Sequence, residues 1–242
     1  RLLVAPAAPD IGRIVSGGNV VGAGVNAPIQ IAERFSGSDM DARIPDVADA
    51  EGMLRLAKEH LSSEGVLAVC SRGLAIALAS LLGGGRAVEF RPKGPVLIGI
   101  GSRDPVTQEQ VKLLQCEGGF RTFRAPGGEV SETELEARLL ILQMTGDGPQ
   151  SEAAADRFAS GLCRVMDVMR PATVLLSGGD TAAAVMNRLN CAELEVCGEA
   201  APGLPWCKVP LYGKEVQVIS KSGGFGHAGT LVELFGPGSG QR

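Results

Sequence analysis

The residues best suited to chemistry lie where apolar runs stop at glycine. The run from Val174 to Leu176 ends in the string SGGDT, Ser177 to Thr181, and an alanine-rich apolar stretch follows. The run from Val216 to Ile219 ends in SKSGGFG, Ser220 to Gly226. A buried strand that stops at glycine beside a helix N-terminus leaves backbone N–H groups unpaired. The helix dipole adds partial positive charge there, so the place suits a phosphate. Gly178 and Gly179 would let the anion approach the backbone closely, and Asp180 or Thr181 would cap the helix or reach a metal. Lys221 would add a point charge, and Gly223 and Gly224 a second close approach. Two such turns in one domain point to the phosphates of a nucleotide. An ordinary strand-to-helix turn and a glycine hairpin with a solvated lysine explain the same residues without a ligand, and both readings stay open at this level. No G-x-x-x-x-G-K-[ST] string occurs, so neither turn is a Walker A loop.

Three further places carry reactive or charged groups. In GSRDPVT, Gly101 to Thr107, the Ser102 hydroxyl would meet a ribose or phosphate, while Arg103 would pair with Asp104. A plain turn with Pro105 starting a helix explains that string equally well. In PAAPDIGR, Pro6 to Arg13, the planar fork of Arg13 suits a carboxylate, with a surface loop as the plainer reading. His60 falls on a helix and His227 just after the glycine loop. Neither has a Ser/His/Asp or Cys/His pattern around it.

The elements that must position these groups follow from periodicity and punctuation. Asp49 is expected to cap a helix over Ala50 to Leu61, with Met53, Leu54, Ala57 and Leu61 on one face. Val66 to Cys70 reads as a buried strand, followed by a helix over Leu74 to Leu82. Residues 36–43 read as a mobile loop. Glycine, proline and alternating charge between residues 84 and 94 mark a linker, which gives domains of 1–88 and 89–242. In the second part, strands are expected at Val96–Ile100, Phe120–Ala125, Leu139–Met144, Val174–Leu176, Lys208–Tyr212 and Val216–Ser220. Thr107 is expected to cap a helix reaching Leu114, and Ser131 to Glu134 to form a capping box. Further helices are expected over Ser151–Met169, Thr181–Leu189 and His227–Phe235. Strands alternating with helices imply an α/β fold of Rossmann-like layers with mostly parallel strands. Ligands in such folds sit at the carboxyl ends of the strands, so the three glycine-bearing turns are expected on one rim.

Composition excludes several classes. A net charge of −4 with one Trp and one Tyr gives no basic or base-stacking surface for nucleic acid. No apolar run is long enough to cross a bilayer as a helix. The six cysteines form no C-x-x-C pair and lie mostly in apolar segments, so they read as reduced core thiols of a cytoplasmic protein. No zinc-site spacing is present, and no metal ligand is assigned. The opening Arg-Leu-Leu-Val-Ala-Pro has neither a visible signal peptide nor an initiator Met, and two readings stay open: a start inside a longer protein, or processing of the N-terminus.

Taken in order, PAAPDIGR, GSRDPVT with Gln110 after it, SGGDTA and KSGGFG make the chain resemble the four-carbon acid sugar kinases, which act on D-threonate, D-erythronate or 3-oxotetronate. The stretch from Ala201 to Pro205 also looks like a family segment. The resemblance implies an N-terminal acid-sugar-binding domain, present here in its last part, and a complete C-terminal nucleotide-binding domain. It implies ATP and Mg²⁺ as cofactors. Ser102 would contact ATP, Gly178, Gly179, Asp180 and Thr181 would form the nucleotide turn, and Gly223 with its neighbours would close the site. The reaction implied is transfer of the γ-phosphoryl group to the terminal hydroxyl of the sugar acid, with Arg13 on the substrate side. A homodimer is left open. Asp180 stands where the family has glutamate, Ala8 where it often has Phe and Asp10 where Glu is common. Two family segments, of D-D-x-T-G and K-x-D-S-T-x-R-G type, have no counterpart, and the resemblance implies that the catalytic carboxylate belongs to them. A non-catalytic nucleotide-binding module is therefore the competing expectation. A Rossmann dehydrogenase is disfavoured, since no G-x-G-x-x-G follows an early strand.

Overall fold

The computed structural model describes residues 1–23, 25–35, 41–83, 88–117, 119–131, 138–146 and 151–237. The chain forms two compact units, Arg1–Arg86 and Ala87–Arg242. Most of the expected capping box at Ser131, the first part of the expected linker and much of the expected loop at 36–43 lie outside the described residues.

The first unit opens with β1 (Leu2–Ala5), β2 (Arg13–Ser16), β3 (Asn19–Gly22) and β4 (Ile29–Gln30). It continues as β5 (Ala42–Arg43), α1 (Ala50–Leu61), β6 (Leu67–Cys70) and α2 (Arg72–Leu82). β5, β1 and β6 form a parallel sheet in that order, and β2, β3 and β4 an antiparallel one. β1 is buried along its whole length, as a central parallel strand must be. Asp49 caps α1 by accepting the Gly52 N–H at 2.7 Å. β6 departs from the expectation of a buried strand. Leu67 is 66% and Val69 42% exposed, because β6 is the edge of a three-stranded sheet.

The second unit holds β7 (Val96–Ile100), α3 (Pro105–Cys116), β8 (Arg121–Pro126), β9 (Leu139–Thr145), α4 (Glu152–Met169) and β10 (Thr173–Ser177). It ends with α5 (Gly179–Arg188), β11 (Glu195–Ala201), β12 (Leu204–Leu211), β13 (Lys214–Lys221) and α6 (Thr230–Phe235). The sheet runs β11-β12-β13-β10-β7-β9-β8. From β13 to β8 every pairing is parallel, while β11 and β12 add an antiparallel edge. β7 and β10 are buried at every residue, which matches their unbroken apolar runs.

The two faces of this sheet have separate cores. Phe158, Leu162 and Val165 of α4 and Val185 of α5 pack with Leu97, Leu142 and Leu176 on one side. Val111 and Leu114 of α3 and Leu231 of α6 pack with Ile98, Leu175 and Ile219 on the other. This is a three-layer α/β unit of the expected class. The thiols differ from the expectation of core cysteines. All six are free, but only Cys207 is buried, while Cys70 ends an edge strand and Cys116 ends α3, both exposed. Among the described residues no helix is long and apolar enough to cross a membrane.

Candidate functional site

Strand register assembles the site. β10 lies between β13 and β7, and its last residue, Ser177, stands opposite Lys221 on one side and Ile100 on the other. Three parallel strands therefore stop on one row, and their loops leave side by side. The N–H groups of Gly101 and Ser102 donate to Ser177 O at 2.9 and 3.1 Å, and Gly178 N–H donates to Lys221 O at 2.9 Å. These bonds fix the three turns to one another before any side chain takes part.

α5 springs from this row. Gly178, its N-cap, has φ of 106°, a conformation side chains disfavour, and it makes no side-chain cap. The helix starts two residues earlier than the expected Thr181. Its first N–H groups have no intrahelical acceptor by geometry. They front a cleft of about 720 Å³, lined by Gly178, Gly179, Asp180 and Thr181 together with Gly101 and Ser102. Ser151, Glu152 and Asp156 from the start of α4 form another part of its wall. The volume falls within the range of small-molecule sites.

The charges lining the cleft are all acidic: Glu152, Asp156 and Asp180, with no Lys or Arg among the described lining residues. Arg188 forms an ion pair with Asp156 and offsets part of that charge. An anion bound here would rely on backbone N–H groups, the α5 dipole and any cation it brings with it. Among the described residues no group of three or more His, Cys, Asp or Glu is arranged to hold a metal ion.

Five of the sequence candidates, Ser102, Gly178, Gly179, Asp180 and Thr181, meet at the cleft. Ser102 is nearly buried, and its Oγ accepts the Asp104 N–H at 3.2 Å. Thr181 is buried too, with its hydroxyl packed on Gly101. Gly223 and Gly224 stand one step back from the wall. A Cβ on Gly223 would come 2.7 Å from Asp104 Cβ, so only glycine lets that loop lie against the β7–α3 turn.

Lys221 departs from the expectation of a phosphate contact. It is wholly buried and spends its three donors on Thr107 Oγ1 at 2.8 Å, Gly223 O at 2.9 Å and Ser222 O at 3.2 Å. Thr107 departs as well. Asp104 caps α3 by accepting the Val106 N–H at 2.9 Å, and Thr107 sits inside the helix, donating to Gly223 O at 2.7 Å. Arg13 belongs to the first unit, half-buried and opposite Gly22 at the start of β2. His227 is exposed and pairs with Glu233 at 3.4 Å.

Sequence reasoning missed the start of α4 as a wall of the cleft. The helix was expected from Ser151, which is its N-cap, but the side-by-side packing of α4 and α5 is a long-range fact. Gln110 was noted only as part of a matching string. Its Nε2 donates to Phe225 O at 3.1 Å and His227 O at 2.9 Å, which pins the second half of the glycine loop.

Comparison with known proteins agrees with this geometry. A family described as the nucleotide-binding C-terminal domain matches residues 128–231, a span that includes the α5 turn and the 221–226 loop. The D-threonate kinase of Bordetella bronchiseptica is 26% identical over 228 residues, covering 85% of this chain and 54% of that protein. The chain thus spans about half the length of the curated relative it matches. Among solved structures, a Salmonella typhimurium LT2 protein has a TM-score of 0.67 at 16% identity, covering 96% of this chain and 72% of that one. A Haemophilus influenzae protein of the DUF1537 family has a TM-score of 0.64 at 16% identity, with coverage of 95% and 72%. These two likenesses establish the α/β fold. The matched nucleotide-binding domain, the likeness to D-threonate kinase and the shared fold together support the chain's place in the four-carbon acid sugar kinase family.

Proposed function

We propose that the chain belongs to an ATP-dependent kinase that phosphorylates the terminal hydroxyl of a four-carbon sugar acid, and that its second unit holds the nucleotide. The observation that carries this reading is the uncapped start of α5, which faces a cleft of about 720 Å³ on the row where three parallel strands end. The N–H groups of Gly179, Asp180 and Thr181 would receive phosphate oxygens, and Ser102 would meet the nucleotide from the neighbouring turn. Phosphoryl transfer depends mainly on such positioning and charge stabilisation. Mg²⁺ would enter with the phosphates and offset the acidic lining, with Asp180 the carboxylate nearest the helix start.

In the transfer, the sugar-acid oxygen bonds to the γ-phosphorus as the bond from that phosphorus to the ADP oxygen breaks. The hydroxyl proton passes to a carboxylate base. Arg13 is proposed on the substrate side, where its fork would hold the acid. A Bordetella bronchiseptica DUF1537 structure with a TM-score of 0.50 and 22% identity, covering 96% of this chain and 68% of that one, is described as a domain-swapped dimer with bound citrate. That description supports a homodimer as the proposed assembly. The setting proposed is the cytoplasm.

ADP release on adding D-threonate, D-erythronate or a 3-oxo acid in the presence of Mg-ATP tests the reading. Turnover with any of these acids, and none with neutral four-carbon sugars, is expected. Mg-ATP binding without turnover on any acid would instead leave the second unit as a nucleotide-binding module without transfer activity.

A further inference from the structure

Lys221 carries a positive charge into the interior, and the nucleotide cleft as described makes no use of it. A buried ammonium is strongly unfavourable unless its protons are bonded. Here three acceptors surround it: Thr107 Oγ1 on α3, and the carbonyls of Ser222 and Gly223 in the loop that follows. Its main chain joins the third turn, because Lys221 O accepts the Gly178 N–H at 2.9 Å. One residue therefore ties all three strand ends together. The connection continues outward. Thr107 also bonds Gly223 O, and Gly223 rests on the turn of Ser102 and Asp104, with the position of its missing Cβ 2.5 Å from Ser102 Oγ. Ser102 lines the cleft.

We propose that Lys221 is a positioning residue of the nucleotide site, which touches no phosphate and instead clamps the glycine loop 222–226 against the Ser102 turn. The proposal rests on the reading of the cleft as a nucleotide site. The charged group facing the ammonium from the β7–α3 turn is Asp104, which favours the protonated form. α3 presents Thr107 and β10 presents Ser177, both neutral, and His227 at the far end of the loop is paired with Glu233. Burial outweighs Asp104 and lowers the Lys221 pKa to about 8. A neutral amine keeps two N–H donors for three acceptors, so losing the proton releases one arm of the clamp.

The test is calorimetric titration of Mg-ATP from about pH 7 to about pH 9.5, a window that brackets this ionisation. Wild-type affinity is expected to weaken by roughly threefold to tenfold as pH rises through it. Lys221→Met should bind more weakly at the low end, with a flat profile. Thr107→Val, which removes one arm and keeps the side-chain shape, serves where Lys221→Met does not fold. Hydrogen exchange at the amides of 223–226 gives a readout without ligand, and faster exchange in either variant is expected. Wild-type affinity flat across the window, or unchanged affinity and exchange in a folded variant, overturns the proposal. Absence of wild-type Mg-ATP binding at every pH overturns the nucleotide reading itself. In that case loop exchange alone decides whether Lys221 is a clamp: faster exchange supports it, and unchanged exchange overturns it.

Discussion

Gly179→Val separates ligand binding from folding more cleanly than any other single change at this site. Gly179 is exposed, its φ lies outside the left-handed region, and a Cβ placed there meets no atom within 4 Å. A side chain at this position is therefore accommodated by the fold and projects at the cleft that Gly179 lines. The stability cost should stay within about 0.5 kcal/mol, as at other exposed sites. Mg-ATP at 100 times its dissociation constant adds about 2.7 kcal/mol to the wild type. In a unit of this size each kcal/mol moves Tm by about 2–4 °C, so the wild type should gain roughly 5–11 °C. If valine weakens binding about 100-fold, the same ATP concentration adds only about 0.4 kcal/mol, a shift near 1 °C. Differential scanning fluorimetry with and without Mg-ATP reads both numbers. A Gly179→Val protein that melts like the wild type and still gains the full shift would refute phosphate binding at the α5 start. A variant that no longer folds would refute the claim that position 179 is sterically free.

Two further outcomes follow from the same geometry. Gly223→Ala should cost about 1–3 kcal/mol in denaturant unfolding, because its Cβ would press on Asp104 Cβ at 2.7 Å; Gly224→Ala, whose nearest neighbour would be Asp104 Oδ2 at 3.4 Å, should stay within about 0.5 kcal/mol. Lys221 also gives the fold a pH signature: its pKa is lowered to about 8 from 10.5, so between those values the unfolded chain binds more protons and stability rises with pH, by up to about 1.4 kcal/mol per pH unit. Below about pH 8 the cost of burying the charge is fully present. The difference in unfolding free energy between wild type and Lys221→Met, followed through that window, isolates this contribution; a difference that does not change with pH would count against it.

The parts of the fold that local pattern determines were legible. β7 is an unbroken apolar run, β9 is apolar except for Gln143 and Thr145, and α4 repeats Phe158, Leu162 and Val165 at helical spacing. Elements whose residues suit several roles were misplaced. Asp104, Pro105 and Thr107 are all helix-start residues, and tertiary contact decides among them, drawing the Thr107 hydroxyl to Gly223 O. β11 went unread because it is an edge strand with no buried residue and no clean alternation. The three turns were legible as a set, since carboxyl ends of adjacent parallel strands must share a rim. The inward course of Lys221 had a local signal that its charge obscured: two residues after buried Ile219, it points to the same face of the sheet. The α4 wall had no local signal at all, because it depends on how α4 and α5 pack.

The most direct test of the central claim is a crystal structure of the chain with Mg²⁺ and a non-hydrolysable ATP analogue. The account predicts phosphate oxygens within hydrogen-bond reach of the N–H groups of Gly179, Asp180 and Thr181, with Ser102 beside the nucleotide and Lys221 still turned inward to Gly223 O. A nucleotide seated on another face of the second unit, or phosphates held by Lys221 and not by the α5 amides, would contradict it.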